Sequence, residues 1–164
     1  MKRSGFLTLV CLVIVLSGCS KANPIKKQEV TARSLRIPSE LVGLRVGTED
    51  ISRQTAKVKN SYADNIGMFS LREGDLLRAT LEVAHLNALA RPNNKGFQQS
   101  IVQLLGGSTP IPIRIGQITI YSTSGNKQNI FAWFNGRAMF VLTIHQDFEF
   151  PRTLLRKVVV LELR

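Results

Sequence analysis

Two cysteines, at positions 11 and 19, are all that the 164 residues contain, and none follows them. Residues 20–164 therefore cannot form a disulfide, use a thiolate nucleophile or build a Cys-ligated metal site. Histidine is as scarce: His85 and His145 would need carboxylates beside them to hold zinc, so no metal is expected. Acidic residues number 11 against 22 Lys and Arg. Beyond position 19 the aspartates (Asp50, Asp64, Asp75, Asp147) are too scattered for a Ca²⁺ loop. No G-x-S-x-G elbow, G-x-G-x-x-G or Walker sequence occurs, and Gly106-Gly107-Ser108 fits a helix stop. The length suits one ordinary domain and excludes a multidomain enzyme. A composition 44% hydrophobic and 20% charged excludes disorder of the whole chain.

What is present begins with an address. Met1-Lys2-Arg3 gives a positive start, and Phe6 to Leu16 follows with Thr8 the one polar residue among eleven. Small residues Ser17-Gly18 come next, and then Cys19. This is the three-part pattern of an export signal. The run is too short to span a bilayer, which takes about 20 apolar residues. Leu16-Ser17-Gly18-Cys19 resembles the lipobox of bacterial lipoproteins. The resemblance implies cleavage before Cys19 and a diacylglyceryl group on its sulfur. It also implies a chain held by membrane lipid on the extracytoplasmic face of the cell membrane. Two or more acyl chains anchor stably where one does so marginally.

Residues 1–18 thus read as a signal peptide and 19–36 as the lipidated Cys with a basic tether. Residues 37–164 read as a single domain. The tether carries Lys21, Lys26, Lys27, Arg33 and Arg36 against Glu29. As coil, its seventeen residues after Cys19 reach roughly 20–25 Å. The net charge of +11 falls mostly outside the second half of the chain: residues 61–164 hold eleven basic and seven acidic side chains, a net of +4. No basic cluster interleaves with aromatics, so a nucleic-acid partner is not expected.

The domain reads as α+β: an antiparallel sheet of about five to six strands with helices packed on one face. Ser39–Asp50 is expected as a strand punctuated by Gly43 and Gly47. Tyr62–Leu71 is expected to pair with Leu77, Ala79, Leu81 and Val83 across a turn at Arg72–Asp75, with one face wet. Asn93 or Asn94 caps a helix bearing Phe97, Ile101, Leu104 and Leu105, ended by Gly106-Gly107. Ile113, Ile115, Ile118 and Ile120 change parity at Gly116, which suggests a bulge or bend there. Ile130–Phe134 and Arg137–His145 flank Asn135-Gly136, expected as a type I′ turn. Ala138–Ile144 is apolar on both parities, which places it centrally. Pro151 opens a last helix with Leu154, Leu155 and Val158 inward. This element order broadly resembles small actinobacterial lipoproteins of PsbP-like fold, a likeness that carries no residues over.

Two groups of side chains stand out. Phe131, Trp133 and Phe134 concentrate aromatic mass in a hairpin apolar on both faces. Either a second layer of the same domain covers it, or it meets an envelope protein or an apolar ligand. His145, Asp147 and Glu149 would share one face of a continuing strand and form a polar site. The expectation is a non-catalytic lipoprotein domain with no cofactor that binds through the hairpin. The alternative is an envelope-polymer hydrolase using Asp147 and Glu149 with His145.

Overall fold

The computed structural model describes residues 37–49, 56–58, 60–107 and 110–161. The signal, Cys19 and the tether lie outside the described residues. Among the described residues, eight strands and two α-helices follow in the order β1 (Glu40–Leu41), β2 (Leu44–Glu49), β3 (Ala63–Glu73), β4 (Leu76–Leu86), α1 (Lys95–Leu104), β5 (Ile111–Ile115), β6 (Ile118–Gly125), β7 (Gln128–Asn135), β8 (Ala138–His145) and α2 (Pro151–Val159), with a short 3-10 turn at Asn60–Tyr62 before β3. All strands join one antiparallel sheet in the order β1-β2-β3-β4-β8-β7-β6-β5.

The expected α+β sheet of five to six strands is corrected: the fold is predominantly β, with eight strands and two short helices. Both additional strands come from reversals that the sequence presents as mere interruptions. Val42 and Gly43 both adopt positive φ, folding the chain from Glu40 to Glu49 back on itself as β1 and β2. At Gly116, φ is +59°, and Ile115 lies opposite Ile118. The glycine therefore closes a two-residue hairpin instead of bending one strand.

The helices do not share a face either. On β8, Phe140, Leu142 and Ile144 pack into one core with Leu154, Leu155 and Val158 of α2. Met139 and Val141, of opposite parity, pack into a second core with Phe97, Leu105 and Ile101 from α1 and its end. A central strand apolar on both sides needs a cover on both, and each helix supplies one.

Local signals mostly act as the residues dictate. The Asn94 side chain accepts from the amides of Gly96 and Phe97 at 2.9 and 3.2 Å. The far end of α1 closes with Gly106 N–H on Gln103 O and Gly107 N–H on Val102 O, a Schellman arrangement. Asn94→Ala is expected to cost about 1 kcal/mol of stability, read from the midpoint of a urea unfolding curve. The β7–β8 turn differs from expectation. Its central residues are Gly136 and Arg137, since Asn135 pairs with Ala138, and Gly136 alone has positive φ, +58°. That is the pattern of type II′, not type I′.

β4 also departs from simple alternation. Ala79, Leu81 and Val83 are buried on the α2 side as expected. A register shift at Leu71/Arg72, however, turns Leu77 to the opposite face, beside Thr80 and Glu82. Both sheet edges are blunted, β1 by its two-residue length and β5 by Pro112, which has no N–H to offer a further strand.

Candidate functional site

The aromatic hairpin is largely interior. Trp133, 1% exposed, stacks on Phe140 across the β7–β8 pair with centroids 5.2 Å apart and planes at 5°. Phe134 is half-buried on the α1 side, with its ring edge-on to Phe97 at 6.4 Å. Phe131 is half-buried against the α2-side core. A second layer of the same domain therefore covers both faces. The neighbouring apolar surface is on edge strand β5, where Ile111 is 66% exposed and Ile113 37%.

His145, Asp147 and Glu149 are not brought together on one strand face. β8 ends at His145, and Gln146-Asp147 form a turn, so the alternation stops where it was needed. Asp147 Oδ2 accepts from Arg78 Nη1 at 2.8 Å, while Arg78 Nε donates to Glu73 at 2.9 Å. These exposed ion pairs fix the corner above β4 and contribute little energy. Glu149 is exposed. His85 lies opposite Ala138, at the other end of β8 from His145. Among the described residues, no group of three or more His, Cys, Asp or Glu could hold a metal ion.

His145 instead lines a cavity of about 180 Å³ with Lys57, Thr80, Glu82, Gln128, Thr143, Met68 and Leu77. The sheet builds this site. Glu82, Thr80 and Thr143 come from the paired central strands β4 and β8, on the same face as α1. Where α1 covers that face, its residues are apolar: Ala84, Leu86, Met139 and Val141. Towards the other end the same parity turns polar, and residues 56–58 lie over it.

Glu82 holds that crossing segment. Its Oε2 accepts from the backbone amides of Lys57 at 2.7 Å and Val58 at 3.3 Å, and the residue is 2% exposed. Val58 is buried in the α1-side core, so the carboxylate pins a hydrophobic plug. The Lys57 ammonium donates to Thr143 Oγ1 at 2.8 Å. Burial pushes the Glu82 carboxyl above the ordinary range for Glu, against the pull of the two amides and of the Lys57 charge. Burial likewise lowers Lys57, against the attraction of Glu82. Both groups are moved toward neutrality, and perturbed titratable groups lining a cavity mark a candidate site. Chemically, the lining offers hydroxyl, amide and imidazole hydrogen bonds around one cation and one anion.

Lys57 and Glu82 were not distinguished by sequence reasoning. Glu82 occupies a polar slot of an alternating strand and reads as solvated. The available signal was Ala84 and Leu86 just beyond it, which make the supposedly wet parity apolar. A second cavity, of about 230 Å³, lies between the β4–α1 connection and the β7–β8 turn. There Arg91 Nε is engaged with the carbonyl of Ala88. The chain matches no protein-family model, no curated protein and no solved structure.

Proposed function

We propose that the chain is a lipid-anchored, extracytoplasmic domain that binds a ligand in the cavity beside Lys57 and Glu82. In this reading residues 1–18 direct export, Cys19 carries the acyl chains and residues 20–36 form a basic stalk. The domain of residues 37–164 presents the cavity to the cell envelope. The observation that carries the reading is Leu16-Ser17-Gly18-Cys19 at the end of an eleven-residue run with one polar member. Among the described residues, no helix is long and apolar enough to cross a membrane.

Binding is favoured over turnover by what the charged groups already do. A general acid or base must reach a proton on its substrate. Here Glu82 Oε2 is occupied by two backbone amides, while the Lys57 ammonium gives one donor to Thr143 and keeps two, which suit recognition of an acceptor. The cavity, and not the hairpin, is the seat because Trp133 is enclosed in the core.

The test is the intact mass of the full chain made in a bacterial host. The expected product begins at Cys19 and carries an acyl increment, and Cys19→Ala lacks that increment and leaves the detergent phase. A wild-type product that retains Met1, or is processed without added lipid, overturns the reading.

A further inference from the structure

The geometry points to a small zwitterion, in its simplest form an α-amino acid, as the ligand of the Lys57–Glu82 cavity. This inference rests on the binding reading above and names its ligand class. Unlike charges line one cavity, yet neither is spent on the other at contact distance: the ammonium is bonded to Thr143 and the carboxylate to the amides of residues 57 and 58. Such a lining has no net charge and a fixed separation of charge. A simple anion entering it meets Glu82, and a simple cation meets Lys57. A molecule carrying both signs satisfies both at once.

The partners follow from the donor inventory. Lys57 has three N–H donors and gives one to Thr143, which leaves two for a ligand carboxylate. The ligand ammonium faces Glu82, with His145 able to take a further polar group. Met68 and Leu77 form the apolar wall, suited to a short side chain. At about 180 Å³ the space is smaller than the ~300–1,000 Å³ typical of drug-sized ligands, so the ligand is a few heavy atoms across.

Calorimetric titration of the full lipidated chain in detergent tests this, with L-alanine and L-serine against N-acetylalanine, alanine amide and glycerol. Alanine and serine are expected to bind saturably. Each singly charged analogue is expected to bind at least roughly tenfold more weakly, the loss that goes with removing a charge-assisted hydrogen bond. Lys57→Met is expected to weaken alanine by about the same factor while its unfolding midpoint, measured in parallel, stays cooperative. The comparison among ligands uses wild-type protein, so it does not depend on the variant folding. Equal binding of alanine and its blocked forms, or binding of glycerol alone, overturns the zwitterion and leaves a binding domain. Binding of none of the five overturns the cavity as their seat, while the anchor is decided separately by the mass of the Cys19 product.

Discussion

Glu82→Ala is expected to lower the free energy of unfolding by about 2–4 kcal/mol, because two backbone donors lose their acceptor inside the protein. The amides of Lys57 and Val58 have Glu82 Oε2 as their acceptor, and Val58 belongs to the α1-side core. Glu82→Gln keeps a neutral acceptor of nearly the same shape and is expected to cost about 1 kcal/mol. Urea unfolding followed by circular dichroism measures both. Equal loss for Ala and Gln would show that the charge, and not the acceptor, holds residues 56–58.

The same pair predicts a pH dependence of definite sign. Glu82 is raised above the ordinary Glu value by burial, with the two amides and Lys57 opposing. Across the window from the unfolded value up to the raised one, the folded state holds more protons than the unfolded state. Stability therefore falls as pH climbs through that window and levels off above it. Lys57 is lowered from 10.5 by burial. Between its lowered value and 10.5 the unfolded chain holds the extra proton, so stability rises with pH there. The acid-side slope is expected to vanish in Glu82→Gln, and the alkaline rise in Lys57→Met.

Trp133→Ala is expected to be the most damaging single change in the hairpin, costing about 3–5 kcal/mol. The ring is enclosed, and it is stacked flat on Phe140 in a cross-strand pair at the centre of the α2-side core. Removing it leaves a void between packed layers as well as losing the stacking contact. Trp133→Phe is expected to recover much of that loss by refilling part of the space. Trp133 is the sole tryptophan, so its fluorescence follows unfolding of the wild-type core directly. If Trp133→Ala unfolds at the wild-type denaturant midpoint, the ring is not the core element described here.

Much of the local structure was legible. Asn94 before Phe97, Gly106-Gly107 behind Leu105, and Pro151 before Leu154 mark both helices, and the structure places them there. These signals are short-range: a cap or a stop needs only neighbours four residues away. The central position of Ala138–Ile144 was equally legible, since a strand apolar on both parities cannot lie at an edge.

The strand count was not legible in the same way, because Gly43 and Gly116 permit a bulge, a bend or a full reversal alike. Which of these occurs depends on whether the following residues find a partner strand. The polar site failed for a similar reason. Extending β8 to Glu149 would have aligned three titratable groups, but the chain turns at Gln146 and sends Asp147 to Arg78.

The sequence by itself determined the thiol-free composition after position 19 and the helix ends, and it alone carries the pattern on which the proposed export signal and lipobox rest. Each of these rests on residue identity at fixed short spacing. Tertiary structure alone decided that the helices take opposite faces, that Leu77 changes sides, and that Glu82 is buried under residues 56–58. The last of these depends on contacts between segments 25 and 86 positions apart, Lys57 with Glu82 and Lys57 with Thr143. Pairing across such distances is set by which surfaces the finished sheet leaves to be covered, and no local pattern encodes it.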